Sequence, residues 1–210
     1  LKNMEFIDIE NEEQIKLIEI ATKDEVYKEE DLFKLYMRFQ FDINQLLEAH
    51  LVSLLLMDNS SSPLYGALES NDVGKSPAQI LGLEDSMRHR VFICGIEGSE
   101  ANSQPKFEKL LDKTFKEIVK KGFSEEQVSS ALYQLELSRR EISAASLPYG
   151  LQILLSMAPG SLYKSHPLEL SNVDEALTKL KENVKKKDFL TNLVEKFFIS
   201  NNHKVSLEMK

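Results

Sequence analysis

Residues 33–41 constrain the fold more than any other segment. Phe33, Leu35, Met37, Phe39 and Phe41 alternate with Lys34, Tyr36, Arg38 and Gln40. Successive side chains of an extended chain point to opposite faces, so this spacing predicts a strand with one face on a core and one face wet. Residues 88–97 predict a second strand. There Val91, Phe92, Ile93, Cys94 and Ile96 form a nearly continuous apolar run, which implies burial on both faces. The chain closes on a third, with Val205, Leu207 and Met209 alternating with Lys204, Ser206, Glu208 and Lys210. Residues 15–20 read as a short additional strand.

Between these segments the apolar period changes to three and four. Ile43, Leu46, Leu47, His50, Leu51, Leu54 and Leu55 predict a helix with a wide apolar face. Ser62-Pro63 supplies an N-cap and first position for a short helix through Leu68. Phe107, Leu110, Leu111, Phe115, Ile118 and Val119 predict another helix, closed by Gly122 in a left-handed cap. Ser124-Glu125-Glu126-Gln127 is a capping box opening the next, which buries Val128, Ala131, Leu132 and Leu135. Further helices are expected around Leu151–Met157, ended by Pro159-Gly160, from Val173, and after Asp188. A few strands with clustered helices predict an α+β fold: a mostly antiparallel sheet with helices packed on one face.

Composition narrows the function classes. The 210 residues carry 26 Lys+Arg against 34 Asp+Glu, a formal charge of −8, which argues against general nucleic-acid binding. No apolar run approaches the roughly 20 residues that span a bilayer. One cysteine, Cys94, leaves no internal disulfide framework. Residues 1–31 hold four Lys and eleven Asp/Glu, hence −7 of the charge. They are read as an acidic N-terminal linker or hairpin, with one globular domain over 32–210. The sequence starts at Leu1 without an initiator Met and stops at Lys210 inside an alternating segment, so a domain of a longer chain is expected.

Local chemistry is sparse. The histidines, His50, His89, His166 and His203, show no metal-ligand spacing. His50 lies on an apolar helix face, where a hydrogen-bonded core histidine is expected. Cys94 is expected as a buried, inert thiol. Val73-Gly74-Lys75-Ser76 is like the tail of a phosphate-binding loop, but Glu69 stands where the first glycine belongs. Ser60-Ser61-Ser62 has no nucleophile-elbow setting, and Lys185-Lys186-Lys187 reads as a solvated corner. Residues 71–86 leave open a loop or an edge strand at 78–81, and Pro77, which lacks the N–H that a central strand donates, argues against a central place in the sheet.

Four segments in order carry a family resemblance. Leu54 to Ser70 (LLLMDNSSSPLYGALES) resembles the "helix, small-residue turn, Ser-Pro-Leu/Phe-Tyr, Ala-Leu, Glu-Ser" stretch of presequence proteases and falcilysin. Lys121-Gly122-Phe123-Ser124 through Leu137, Leu147-Pro148-Tyr149-Gly150-Leu151, and Asn202-His203-Lys204-Val205-Ser206-Leu207 are similar to later pieces of the same family. These are the pitrilysin/insulinase-like zinc metallopeptidases, and the resemblance covers roughly residues 32–210. It implies the second, zinc-free domain. The inverted zinc motif His-x-x-Glu-His belongs to the first domain and does not occur in this sequence.

The resemblance therefore implies no catalytic residue, metal or cofactor in this chain, with zinc held elsewhere in the parent enzyme. It implies a share in a closed chamber that digests unstructured peptides. The implied partners are neighbouring domains of the same chain and a peptide substrate, with no nucleic acid or membrane. The implied location is soluble, in a bacterial cytoplasm or an organelle matrix. By the same resemblance, peptide would add as an extra strand along Lys75, Ala78, Gln79, Ile80 and Leu81. A non-enzymatic assembly or peptide-binding module of the same fold is the alternative.

Overall fold

A computed structural model describes residues 4–7, 32–39, 43–85, 90–100, 102–140, 148–162 and 173–209. The strands are β1 (Met4–Ile7), β2 (Leu32–Phe39), β3 (Ser76–Pro77), β4 (Gly82–Glu84), β5 (Arg90–Glu97) and β6 (Lys204–Met209). The helices are α1 (Ile43–Met57), α2 (Pro63–Glu69), α3 (Gln104–Lys121), α4 (Glu125–Arg140), α5 (Tyr149–Leu162), α6 (Val173–Val184) and α7 (Phe189–Val194), the last running on as a π-helical turn over Glu195–Ile199. The strands form one sheet in the order β1-β6-β2-β5-β3, with β4 also paired to β5, and every pairing is antiparallel. The fold is the expected α+β class. Met4–Ile7 lies within the expected linker, and it pairs with β6 as an outer strand of this sheet. The strand expected at 15–20 and the bend at 143–146 fall outside the described residues.

The helical core sits on the sheet face that carries Phe92, Cys94 and Ile96. Phe107, Leu111, Phe115 and Ile118 of α3 close over it at four-, four- and three-residue spacing, together with Leu64 and Leu68 of α2. Phe198 is the aromatic keystone. Its ring stacks on Phe115 at 4.6 Å and meets Phe92 edge-on at 4.9 Å. The π-turn that presents it closes with the Ser200 N–H donating to the Glu195 carbonyl at 2.8 Å. Phe197, its neighbour, is buried as well.

Helix α1 is buried on two sides. Ala49, Val52 and Leu56 join the core over the sheet. Leu47, Leu51 and Leu55 join a second cluster with Ala131 and Leu135 of α4 and Leu177 and Leu180 of α6. The outer helices are cross-tied by Lys181 Nζ donating to Glu136 Oε2 at 2.7 Å, while Arg140 reaches Glu136 at 3.3 Å and Asp174 at 3.0 Å. His50, also on α1, meets Asp85 just beyond β4, with Nε2 to Oδ2 at 2.9 Å. The expected hydrogen-bonded histidine is thus present and half-buried. The hydrogen bond from His50 holds the Asp85 carboxyl below its ordinary value, and the charges of His50, Arg139 and Arg90 act in the same direction, against desolvation.

Three local expectations need revision. The first part of the β2 stripe, Phe33 and Leu35, is in register with the sheet face away from the described helices, and a register shift between Tyr36 and Phe39 brings Phe39 opposite Arg90, on the face of Phe92. Phe33 stands opposite Gly95 and Leu207, and Leu35 opposite Ile93 and Val205, whereas Phe92 and Cys94 of the helical core stand opposite Tyr36 and Lys34. Val91, Val205 and Leu207 on that opposite face are buried too, so it is not simply wet. Helix α5 continues to Leu162 through Pro159 and Gly160. Proline removes one ladder hydrogen bond, which bends a helix without always ending it. The 78–81 segment is not a strand, and its shape is taken up below.

The caps follow the sequence more closely. Ser124 Oγ accepts from the Gln127 N–H at 3.2 Å, and Gln127 Oε1 accepts from the Ser124 N–H at 3.0 Å, a reciprocal capping box. Gly122 ends α3 with φ +70 and donates its N–H to the Ile118 carbonyl at 2.8 Å, but its ψ of −164 lies outside the left-handed helical region, so the expected left-handed cap is replaced by an extended glycine turn. Pro63 opens α2 as expected, but Ser62 Oγ accepts from the Asn59 N–H rather than capping the helix.

Two predictions follow from these contacts. Phe198→Ala should cost about 3–5 kcal/mol, as truncation of a buried aromatic does, read by urea denaturation. Asp85→Asn should cost about 0.5–1 kcal/mol at neutral pH, discounted for the partial exposure of the pair. Because the Asp85 carboxyl is lowered from 3.8 in the fold, its contribution is present above that value and lost as pH falls through the lower folded value. The two proteins should therefore converge in stability in strongly acidic solution.

Candidate functional site

The residues singled out at 75–81 lie on the free side of β5, away from β2. Their approach is set by Asn71, whose Oδ1 accepts from the N–H groups of Val73 at 2.7 Å and Gly74 at 2.9 Å. Gly74 then passes so close to β5 that a Cβ would stand 2.9 Å from the Glu97 carbonyl. The Lys75 N–H donates to that carbonyl at 2.8 Å, Ser76 and Pro77 pair with Glu97 and Ile96, and the Ala78 N–H donates to Gly95 at 3.0 Å.

Pairing resumes at Gly82 opposite Ile93. Four residues, 78–81, thus face two on β5, 94–95, so β3 and β4 are one edge strand interrupted by a bulge. Within the bulge Ala78 is buried, Gln79 and Ile80 are exposed, and Leu81 packs against the helical core. Gly82 resolves the kink with φ +96, a backbone region glycine adopts without penalty. The five residues therefore lie along one sheet edge, with 78–81 outside its strands. The regular pairing is carried by Ser76–Pro77 and Gly82–Glu84 instead of 78–81. Pro77, lacking an N–H, sits at the edge where proline is tolerated.

Two neighbours complete this edge. The Glu97 side chain reaches back across the strand end, and its Oε1 accepts from the Gln79 N–H at 3.0 Å. Gly98 follows with φ +66, and the stem of Lys75 lies over it, with Cδ 2.8 Å from where a Cβ would be. Sequence spacing did not mark Glu97, because its partner lies 18 residues away. A glycine directly after a strong strand was the available hint for Gly98.

The remaining chemistry-bearing residues are scattered. His203 borders a small recess of about 280 Å³ with Gln45, Lys196 and Asn201. Cys94 is buried and forms no disulfide. Lys185, Lys186 and Lys187 are exposed at the α6–α7 corner, as expected of a solvated turn. His89 and His166 fall outside the described residues. Among the described residues, no three His, Cys, Asp or Glu side chains gather as a metal site would require. Tyr133 and Leu137 of α4 and Tyr149, Leu154 and Leu155 of α5 are exposed. The sequence did not mark a groove of about 740 Å³ between α4 and the α6–α7 corner, floored by Val128, Leu132 and Leu190.

No family profile matches the chain. Individual proteins do. The mitochondrial presequence protease of Mus musculus is 31% identical over 176 residues, covering 80% of this chain and 16% of the relative. That of Aspergillus fumigatus is 27% identical over 182 residues, covering 87% and 17%. The chloroplastic/mitochondrial presequence protease 1 of Arabidopsis thaliana is 27% identical over 172 residues, covering 80% and 16%. The chain thus spans about one-sixth of the length of the curated relatives it matches. Among solved structures, the inactive peptidase domain of a zinc protease from Bordetella parapertussis superposes with a TM-score of 0.66 at 13% identity, covering 88% of this chain and 92% of that one. A protease from Helicobacter pylori gives 0.57 at 11% identity, covering 86% and 41%. These structural likenesses speak for the fold, and the sequence matches speak for descent. Together they make the chain a homologue of one segment of the presequence proteases, with the fold of the inactive peptidase domain solved from Bordetella parapertussis.

Proposed function

We propose that this chain works as the second, zinc-free domain of a zinc metallopeptidase that degrades unstructured peptides. In this reading it forms part of the wall of a closed digestion chamber and receives peptide along the β3–β4 edge. The observation that carries the proposal is the combination of descent from presequence proteases with an accessible, interrupted sheet edge at Lys75–Leu81. An extended peptide can add to such an edge by backbone pairing, which tolerates many side-chain sequences. That tolerance suits an enzyme that clears varied peptides. The zinc, its bound water and a general base would belong to another domain of the longer polypeptide. An organelle location fits the names of the relatives, which are mitochondrial or chloroplastic.

A non-enzymatic assembly or peptide-binding module of the same fold is the competing reading. The exposed apolar side chains on α4 and on α5 would serve either, since both require neighbours.

Two measurements test the proposal. The 210-residue chain should show no peptidase activity and no stoichiometric zinc; tight one-to-one zinc binding would contradict it. In the full-length protein, Gln79→Pro should raise KM for long peptides about 3–10-fold, the size of a lost exposed hydrogen bond, with little change in kcat. Unchanged kinetics would remove the edge from the peptide path. A full-length protein without any peptidase activity would favour the assembly reading.

A further inference from the structure

Helix α5 has the composition of a buried element and the exposure of a free one. Its 14 residues, Tyr149–Leu162, contain no Asp, Glu, Lys or Arg, in a chain that is 29% charged. A solvated surface is roughly 25–35% charged, so a helix of this length facing water would hold about four such residues. Leu151, Leu154 and Leu155 recur at three- and four-residue spacing and therefore share one face of the helix. They are 39%, 63% and 53% exposed. Ile153, on the opposite side, is half-buried. The apolar stripe of α5 thus faces out of the domain, the reverse of what an amphipathic surface helix does.

Three occupants could cover such a stripe. A membrane surface is disfavoured by chemistry. Helices that lie in a lipid interface carry Lys and Arg on their polar face, and α5 has neither. A second copy is disfavoured by area. The three leucines expose about one and a half leucines' worth of surface, on the order of 300 Å². A stable specific complex buries roughly 800 Å² per partner. A partner joined through the same backbone needs far less, because the tether supplies an effective concentration on the order of millimolar. A polypeptide of the relatives' length would supply that tether, since this chain spans about one-sixth of them. The lack of charge also fits the core of a protein interface, where charged residues are depleted. Taking the chain as one domain of such a longer polypeptide, we propose that the Leu151, Leu154 and Leu155 face of α5 is an intramolecular docking surface, covered by an apolar patch of a neighbouring domain.

The test footprints the full-length protein by carbene labelling with residue-level mass spectrometry, at a concentration where light scattering shows a monomer. Leu151, Leu154 and Leu155 should be labelled no more than Leu47 and Leu51, which are buried in α1. In Leu154→Asp/Leu155→Asp, labelling of Leu151 should rise about four-fold, the step from an interface core to its 39% exposure in the undocked domain. Leu47 and Leu51 should stay protected, which separates undocking from unfolding. Free labelling of the three leucines in the wild-type monomer would overturn the proposal, even where the variant fails to fold. Leu151 still protected in a folded double variant would overturn it too, since two carboxylates do not stay buried in an apolar contact. Protection that appears only where the protein dimerises would assign the face to a second copy. Protection that appears only with phosphatidylcholine–phosphatidylglycerol vesicles would assign it to a membrane. Either result overturns the intramolecular dock. Peptidase activity is measured on the same preparation. Protected leucines without any activity would keep the dock and remove the peptidase reading, and activity with freely labelled leucines would do the reverse.

Discussion

The double burial of α1 is the constraint on which the other layers depend. An isolated sheet or helix must cover its apolar face, and stable domains do so by stacking layers. Here one helix serves two cores. Ala49, Val52 and Leu56 press on the sheet side, and Leu47, Leu51 and Leu55 receive α4 and α6. Remove that helix and the outer pair has no floor. The aromatic contact of Phe198 with Phe115 and Phe92 then locks the π-turn and α3 onto the same sheet face.

This layering also positions the sheet edge. His50 projects from α1 to Asp85, so the end of β4 is tied to the central helix. At the other end, Asn71 and the close approach of Gly74 tie β3 to β5. Between two fixed ends, the two extra residues of the bulge have only the solvent side to occupy, which exposes Gln79 and Ile80. An edge that is firmly anchored at both ends and irregular in the middle resists indiscriminate strand pairing. Among the described residues, no three His, Cys, Asp or Glu side chains gather there as a metal site would require.

Much of the fold was legible locally. Helices α1, α3 and α4 follow from three- and four-residue spacing, the Ser124–Gln127 box from its capping chemistry, and β6 from alternation. The site was legible only as a location. Pro77 and the flanking glycines marked an edge, and the residues from Lys75 to Leu81 do lie on one. The bulge, the Glu97 contact and the role of Gly98 were not legible, because each depends on a pairing partner far along the chain. The continuation of α5 through Pro159 was missed for a related reason: the penalty of a helical proline is finite, and a short extension can bear it.

The sequence by itself determined the identity of the elements, the absence of a His-x-x-Glu-His motif and the kinship with presequence proteases. These are properties of residue spacing and descent, and they need no partner in space. Only the tertiary structure decided which face of β2 looks toward the helices. A period of two fixes which residues share a face and is silent about which layer that face meets. Cross-strand register supplied the answer, setting Phe33 and Leu35 beside Leu207 and Val205, with Phe92 and Cys94 on the opposite, helical side. The same long-range register placed Glu97 beside Gln79, whose N–H donates to a carboxylate 18 residues away.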